Sequence, residues 1–284
     1  MSRTVFALAC YGLVAAGCNA PPPMPEDHWD GPKGTMREVF REEFEGPAGS
    51  APNPAYWHLL EKEVNWNDEM QHYTAERKNS YLDGAGHLVI EGHKENYVKP
   101  DGTLSSMGYT SARLESVGLV EQLYGRFEAR IWLPKGVGLW PAFWLLSNTY
   151  QTEGWPECGE VDIIELAGSE DDKVHGTMHG PGYSGAAGLS RAFELESGSF
   201  ADGFHVFTVE WAPDGMRWLV DGQPYHSRTP KGMGYVGMRW VFDTPMYIIM
   251  NLAIGGIYDG PPDETTVFPA RMLVDYVSVS ALDP

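Results

Sequence analysis

The sequence predicts an all-β domain, a sandwich or a barrel, from three observations. From about residue 37 onward, short alternating or continuous apolar runs follow one another, such as "GRFEARIWLP" and "MYIIMNLAIGG". Clusters of Gly, Pro, Asn and Asp separate these runs at the spacing of strands and turns. In "WAPDGMRWLVDGQPY", the "PDG" and "DGQ" segments predict turns with positive φ. No long helical period of apolar residues is present. We therefore predict one domain over residues 37–284, long enough to bury a substantial core.

The first 17 residues are predicted to be an export signal of the lipoprotein type. "MSRTVFALACYGLVAAGC" has one Arg, then an apolar run too short to span a bilayer, then small residues. Its "AAGC" ending resembles a bacterial lipobox, which predicts lipidation of Cys18, although Ala15 stands where Leu is more usual. Ordinary secretion is the alternative. We expect an exported protein held to a bacterial membrane only by lipid, with the Pro- and Gly-rich residues 18–36 as a tether.

Charge and cysteine content argue against some binding partners and against stabilisation by disulfide bonds. The formal net charge is −19 at pH 7, and removal of the signal takes away Arg3 and makes it more negative. This charge argues against nucleic acid as a partner and, less strongly, against sulfated polysaccharides. Only Cys18 and Cys158 would remain, so we predict that the core stabilises the domain without a disulfide framework. We also predict a monomer.

The segment "GEVDIIELAG", residues 159–168, places three carboxylates in a β-forming stretch. Side chains alternate along a strand, so Glu160 and Asp162 share one face. In a regular strand Glu165 would face the other way, whereas a β-bulge at Ile163 or Ile164 returns it to that face. Three like charges on one face destabilise a strand, which functional sites tolerate. We therefore predict a bulge and an active site here, in preference to a solvated edge strand.

Aromatic and His residues supply a second indication of a functional site, one that suits a sugar. "GLWPAFWLL" sets Trp140 and Trp144 four residues apart, on the same strand face. A flat apolar ring beside carboxylates suits a sugar, whose C–H face stacks while its hydroxyls hydrogen-bond, and core packing is the alternative. "VHGTMHG" places His175 and His179 four residues apart, but in a β context and without the Glu of a zinc-binding helix. The pair therefore favours hydrogen bonding beside a glycan over metal binding.

These motifs, in their order, resemble one enzyme family across essentially all of residues 37–284. The matching stretches are "NWNDEMQHYTAERKN", "YTSARLES", "YGRFEARIWLPKGVGLWPAFWLL", "WPECGEVDIIELAG", "HGTMHGPGYSG", "FHVFTVEW", "MYIIMNLAIGG" and "MLVDYVSV". They are similar to glycoside hydrolase family 16 and, within it, to the bacterial endo-1,3-β-glucanases called laminarinases. The resemblance implies a β-jelly roll of two antiparallel sheets with a glycan cleft along the concave face. It implies a β-glucan polysaccharide as substrate and no cofactor for catalysis.

The resemblance also assigns roles to the carboxylates. Glu160 is implied to be the nucleophile, Asp162 its electrostatic assistant and Glu165 the general acid/base. The Glu-x-Asp-x-x-Glu spacing resembles the laminarinase branch, whereas the lichenases of the family have the shorter Glu-x-Asp-x-Glu form. A retaining glycosidase needs one ionised carboxylate to attack the anomeric carbon and one protonated carboxyl to release the leaving sugar. The negative charge of Asp162 is expected to help Glu165 keep its proton.

Six further positions match the family pattern as sugar contacts in the cleft. They are Asn67, Arg113, Trp140, Trp144, His179 and Asn251. One departure is visible at residues 67–69, "NDE", where the pattern usually has Asn-Asn-Glu, so Asp68 adds a negative charge near one end of the cleft.

A structural calcium ion on the convex face is a further implication of the resemblance. Its ligands would be the side chain of Asp275 and backbone carbonyls near Glu43 and Gly86, a set of oxygens that suits calcium. A solvated Asp on an edge strand explains Asp275 as well.

Alternatives remain open at this point. The carboxylate triplet favours an enzyme over a glucan-binding domain that has lost turnover, because a binding domain has no need of it. Within the enzyme class, a 1,3-1,4-β-glucanase and a red-algal galactan hydrolase are the alternatives, since loop shape decides the substrate.

Overall fold

The computed structural model describes residues 27–63, 66–233 and 237–283. The predicted signal and the predicted lipidation site, Cys18, lie outside these residues. Within them, no helix is long and apolar enough to cross a membrane. The strands are β1 Thr35–Glu42, β2 His58–Leu59, β3 Lys62–Glu63, β4 Gln71–Tyr73, β5 Ser80–Leu82, β6 Leu88–Lys94, β7 Tyr109–Ser111, β8 Arg113–Glu115, β9 Glu121–Gln122, β10 Gly125–Trp132, β11 Leu139–Ser147, β12 Glu160–Glu165, β13 Lys173–His179, β14 Leu189–Glu194, β15 His205–Ala212, β16 Gly215–Val220, β17 Gln223–Arg228, β18 Met246–Ile254 and β19 Ala270–Asp283. One short helix, α1 Tyr150–Glu153, precedes β12.

The strands form two sheets around an apolar core. One sheet runs β17-β16-β15-β10-β19-β6-β7-β4-β3, with β1 paired to β19 and β5 paired to β6. The other runs β14-β13-β12-β11-β18-β8-β2, with β9 paired to β18. All described pairs are antiparallel except β4 with β7, which is parallel. The predicted β-jelly-roll sandwich of two antiparallel sheets is confirmed, with that one parallel pair as a departure.

Strand β11 shows how the sequence divides between the core and the outer face. Phe143 and Leu145 are fully or almost fully buried and belong to the core. Trp140 and Trp144 project from the opposite face and are only half-buried. Because the β11–β18 pairing is regular, the two Trp residues share one face, as their spacing predicted.

Strand β12 contains the predicted β-bulge. Across the β11–β12 pair, Ile164 lies opposite Phe143 and Asp162 lies opposite Trp144, which leaves Ile163 without a partner of its own. Both Ile163 and Ile164 pack into the core. The extra residue turns the following carboxylate back to the outer face, so the predicted bulge is confirmed.

The domain makes contacts earlier in the chain than residue 37. Trp29 is 9% exposed and packs against Gly215, where an added β-carbon would lie 2.7 Å from the indole. Strand β1 begins at Thr35 and pairs with β19. The described part of the predicted tether therefore lies against the domain, and residues 1–26 lie outside the described part of the chain.

The β15–β16–β17 meander has two tight turns of different kinds. The "DGQ" segment was predicted to have positive φ, and Asp221 and Gly222 have φ values of 49° and 77°. The "PDG" segment was predicted the same way, and this was wrong, because none of Pro213, Asp214 and Gly215 has a positive φ. Pro213 fixes its own φ near −65°, which favours a turn built from negative φ values.

Candidate active site

A cleft of about 750 Å³ lies on the outer face of the eight-stranded sheet. Its floor comes from β8, β11, β12 and β18, and its walls come from the loops before β4 and around α1. The residues that line it are Leu60, Lys62, Trp66, Asn67, Glu69, Tyr73, Arg113, Glu115, Trp140, Ala142, Trp144, Leu146, Tyr150, Gln151, Trp155, Glu160, Asp162, Glu165, Tyr247, Asn251 and Ala253.

All three carboxylates of β12 line this cleft. Asp162 is 4% exposed, whereas Glu160 and Glu165 keep part of their surface open to the cleft. Trp140 Nε1 donates a hydrogen bond to Glu165 Oε1 over 3.0 Å. His179 Nε2 lies 3.1 Å from Asp162 Oδ2 and 3.8 Å from Glu160 Oε1. The bulge thus brings two glutamates and an aspartate into one cleft, which is the geometry that the sequence predicted.

The environment of these carboxylates favours their protonated forms. Burial, followed by the charge of Asp162, raises the pKa of Glu165 to about 8. Burial also raises the pKa values of Glu160 and Asp162, and Asp162 adds to the effect on Glu160. The nearby His179 and the hydrogen bond from Trp140 oppose the shift at Glu165. At neutral pH the cluster therefore retains protons, and Glu165 can supply one.

The two predicted stacking residues lie in the cleft and not in the core. Trp140 is a neighbour of Glu165, as its hydrogen bond shows. Trp144 donates from Nε1 to Asn251 Oδ1 over 2.8 Å, so the predicted contact residue Asn251 holds the indole in place. The exposed parts of both rings face the cleft, where they can stack on a sugar.

Arg113 and Asn67 also line the cleft. Arg113 Nε donates to Glu115 Oε1 over 2.7 Å, and its guanidinium lies 4.8 Å from the centre of the Trp144 ring. Asn67 has a φ of 53°, and its backbone carbonyl accepts a hydrogen bond from Ile257 N over 2.7 Å. Their roles as sugar contacts stay predictions, because the structure fixes only their positions.

His179 and Asp68 are placed differently from the other predicted residues. His179 lies beside Glu160 and Asp162, behind the surface of the cleft, and packs against Gly188. Asp68 is exposed, and its neighbour Glu69 is the acidic residue of that loop that lines the cleft. The extra charge predicted from "NDE" therefore lies beside the cleft wall and not in its lining.

Several cleft residues were missed by the sequence interpretation. Trp66 and Glu69 lie within the motif "NWNDEM", and Trp155 begins "WPECGEVDIIELAG", so both stretches contained the signal. Trp66 and Trp155 are 41% and 44% exposed, and an exposed Trp beside a site residue is a recognisable sign of a ligand surface. Glu115 follows Arg113 by two positions, which places both on one face of β8.

The three residues of the predicted calcium site lie on the other sheet and its turns. The carbonyl oxygen of Glu43 lies 3.9 Å from the position that a β-carbon would take on Gly86, so these two residues are adjacent. Asp275 Oδ2 accepts a hydrogen bond from Arg130 over 2.6 Å, and Asp275 Oδ1 lies 3.9 Å from His87 Nε2. The oxygen donors suit calcium, while Arg130 already neutralises the carboxylate, so calcium binding stays a prediction.

Comparisons with known proteins agree with this site. The model of glycosyl hydrolases family 16 matches residues 62–278. The chain is 35% identical to a β-glucanase of Rhodothermus marinus, over 98% of this chain and 94% of that protein. It is 45% identical to the solved endo-β-1,3-glucanase of Pyrococcus furiosus, with a TM-score of 0.81 over 88% of this chain and 96% of that one.

A second solved structure extends the agreement. The catalytic domain of an endo-1,3-β-glucanase (laminarinase) from Thermotoga petrophila RKU-1 is 40% identical, with a TM-score of 0.82 over 89% of this chain and 100% of that domain. The family model covers well over half of this chain, including all three carboxylates of the cleft. The chain therefore belongs to glycosyl hydrolases family 16.

Proposed function

We propose that the protein is a retaining endo-β-glucanase that hydrolyses 1,3-β-glucosidic bonds in laminarin-type glucans. The observation that carries this proposal is the bulge of β12, which brings Glu160 and Glu165 into one cleft. Members of the family named endo-1,3-β-glucanase support the choice of substrate.

The mechanism follows from the two carboxyl groups. The reactive form of the cluster has Glu160 ionised and Glu165 protonated, and the positive charge of Arg113 favours ionisation of Glu160. Glu160 attacks the anomeric carbon, and Glu165 gives its proton to the leaving oxygen, which breaks the glycosidic bond and leaves a glycosyl-enzyme. Glu165, now ionised, takes a proton from water, and the water oxygen displaces Glu160 from the anomeric carbon. The raised pKa of Glu165 supports its first role, because the group is protonated when the substrate binds.

Asp162 lies between these groups and is buried with its carboxylate near His179. Its charge opposes ionisation of Glu165 and of Glu160. We assign Asp162 the role of sharing charge with the nucleophile while it keeps the acid protonated.

The course of the cleft supports the endo mode of attack. Arg113 lies on β8, two strands beyond β11, on one side of the carboxylates. Trp155 lies on the other side, where its ring centre is 6.0 Å from that of His179 on β13. A cleft that continues in both directions from the carboxylates accommodates the interior of a chain, which favours endo cleavage.

The proposal is tested with purified protein on laminarin, lichenan, agarose and carrageenan. We expect oligosaccharides of several lengths from laminarin at early times, and an NMR time course in which the β-anomer forms first. Glu160→Ala should be inactive on all four substrates and regain glycosyl transfer with an α-glycosyl fluoride. The α-anomer first would refute retention, and faster cleavage of lichenan would move the assignment to the 1,3-1,4-β-glucanases. Binding of laminarin without any cleavage would instead indicate a glucan-binding domain.

We also propose that the protein is exported and anchored through Cys18. The support is the signal-like first 17 residues and the "AAGC" ending. In cells, Cys18→Ser should move the protein from the membrane fraction to the soluble fraction. A wild-type protein that is already soluble would refute the anchor and leave the catalytic proposal untouched.

A further inference from the structure

Tyr258, in the loop that follows β18, contacts the active site from behind. Its ring stacks on the ring of Trp140, with centroids 4.8 Å apart and planes at 17°. Its hydroxyl is hydrogen-bonded to His175 Nδ1 over 2.8 Å. Trp140 lines the cleft, whereas Tyr258 and His175 are not among the described lining residues. The structure thus places His175 behind the cleft lining, although the sequence predicted hydrogen bonding beside a glycan for it.

These contacts form a closed circuit around the general acid/base. His175 lies directly opposite Glu165 in the β12–β13 pairing. Trp140 Nε1 donates to Glu165 Oε1 over 3.0 Å. The contacts therefore connect Glu165 to the indole of Trp140, the indole to the phenol of Tyr258, and the phenol to His175 on the strand beside Glu165. Together they fix the direction of the indole N–H, because the indole cannot turn without breaking a stack or a hydrogen bond.

The protonation states in this circuit are well defined. Burial raises the pKa of Tyr258 well above its usual value, so the phenol keeps its proton. Burial lowers the pKa of His175, so its imidazole is neutral at neutral pH. The hydroxyl can therefore donate to His175 Nδ1 in the tautomer that has its imidazole proton on Nε2.

The loop that carries Tyr258 is itself held in place. Asp259 Oδ2 accepts hydrogen bonds from Gly138 N over 2.7 Å and from Ser169 N over 3.2 Å. Ile257 N donates to the carbonyl of Asn67 over 2.7 Å. Gly256, with a φ of 93°, lets the backbone approach Trp140, since an added β-carbon would lie 3.2 Å from the indole. The phenol thus rests on a loop tied to three other segments, which suits a rigid support.

We propose that Tyr258 is a positioning residue that, through its bond to His175 and its stack on Trp140, keeps the indole N–H on Glu165 through both steps of the reaction. The inference rests on the proposed function, because it assigns a purpose to a hydrogen bond on the general acid/base. A hydrogen bond donated to a carboxylate stabilises its ionised form. Glu165 is ionised in the second step, when it accepts a proton from water, so the bond matters most there.

The test compares Tyr258→Phe with a matched control, Tyr276→Phe. Tyr258→Phe keeps an aromatic ring on Trp140 and removes only the bond to His175. Tyr276 is a half-buried tyrosine of the other sheet whose hydroxyl donates to Glu128 over 2.9 Å, so the control removes one comparable bond far from the cleft. Both are measured on laminarin across a pH series, and on an activated aryl β-glucoside for which breakdown of the glycosyl-enzyme limits the rate.

Tyr258→Phe should move the alkaline limb of kcat/KM on laminarin to higher pH by about half a unit, because weaker donation to Glu165 leaves its proton more tightly bound. On the activated substrate, kcat and KM should both fall by about threefold to tenfold while kcat/KM changes little, the factor expected for weakening one hydrogen bond. Tyr276→Phe should show neither effect. The other groups that face Glu165 are Asp162 and Glu160 on its own strand and His179 on β13, and they are the same in all variants.

A second variant approaches the same bond from its other end. His175→Ala should give the same shift of the alkaline limb, and the Tyr258→Phe/His175→Ala double variant should shift it no further, since both changes break one interaction. Equal losses of kcat and kcat/KM without a pH shift would indicate a merely structural role and overturn the proposal. A wild type that does not hydrolyse laminarin would refute the proposed function, whereas an active, retaining wild type with unshifted variants would refute only the role of Tyr258.

Discussion

Two strand pairs of this fold surround their carboxylates differently: one pairs a carboxylate with an Arg, and the other places three carboxylates together. In the β15–β16 pair, Glu210 lies directly opposite Arg217, and Arg217 Nε donates to Glu210 Oε2 over 2.5 Å. In the β11–β12 pair, the three carboxylates of β12 share one face. Among the described residues, His179 is the basic side chain found within 4 Å of them. The first pair is regular in register, and the second contains the bulge.

The difference separates a structural use of charge from a chemical one. A buried carboxylate that faces a guanidinium has its charge compensated in the native state, and this compensation holds strands together. A buried carboxylate beside two others has no guanidinium partner, so it binds a proton near neutral pH. The proton is useful for glycoside cleavage, and the raised pKa makes the fold less stable as the pH rises from the value of an unfolded glutamate toward the value in the fold.

The largest effect on activity is expected when Glu165, the proton donor of the β11–β12 pair, is removed. Glu165→Ala should lower kcat on laminarin by about 10³-fold, the usual scale for loss of general acid–base catalysis. A substrate whose leaving group needs no acid should still form the glycosyl-enzyme, and azide should accelerate its breakdown. Initial rates with and without azide check this. Glu210→Gln is the control and should keep wild-type activity, and a variant that azide fails to accelerate would contradict the assignment of Glu165.

The same carboxylate should affect stability with a defined sign. A glutamate in the unfolded chain titrates near 4.3, whereas the pKa of Glu165 in the fold is about 8. The native state therefore binds this proton more tightly, and stability falls as the pH rises from about 4.3 to about 8. Gln does not titrate, so Glu165→Gln should raise the free energy of unfolding by about 1–3 kcal/mol at pH 8, with a smaller gain at pH 5. Urea unfolding at the two pH values measures this, and a gain independent of pH would contradict it.

A Glu-to-Gln substitution in the β15–β16 pair should change the free energy of unfolding in the opposite direction. Glu210→Gln removes one charge of the pair with Arg217 and should lower the free energy of unfolding at neutral pH by about 1 kcal/mol, because Glu210 is buried but Arg217 stays partly exposed to water. Arg217 keeps its bond to the carbonyl of Asp30, which limits the loss. Urea unfolding under the conditions used for Glu165→Gln gives the comparison directly. If both substitutions shift stability in the same direction, the contrast between the two strand pairs is wrong.

Local pattern was sufficient to predict the parts of the site that lie on one strand. The alternation of side chains placed Trp140 and Trp144 on one face, and the odd spacing of Glu165 from Asp162 predicted the bulge. Both predictions follow from the alternation of side chains along a single strand, so neither needs knowledge of the neighbouring strands. The same pattern repeated along the chain predicted an all-β sandwich or barrel, and the family resemblance implied the two-sheet jelly roll.

Contacts between segments that are distant in the sequence could not be predicted from this local pattern. Tyr258 reaches His175 across 83 positions of the sequence, and the two meet only because of the order of strands in the sheet. The "PDG" turn failed for a different reason, since Pro213 favoured a turn with negative φ where the Gly suggested a positive one. The position of His179 behind the carboxylates likewise depends on the β12–β13 register, which the sequence does not reveal.

The smallest effect is expected at Asp162, and it tests how far the three carboxylates act as one group. Asp162→Asn removes a negative charge that helps Glu165 keep its proton, so the pKa of Glu165 should fall and the alkaline limb of kcat/KM should move to lower pH. We expect a shift of about half a unit, or about 0.7 kcal/mol, because Asp162 is buried and shares protons with Glu160 and so carries less than a full charge at neutral pH. Partial activity should remain, since neither the nucleophile nor the acid is lost. The pH dependence of laminarin hydrolysis measures the shift, and a limb that moves to higher pH would show that Asp162 stabilises the ionised form of Glu165 instead.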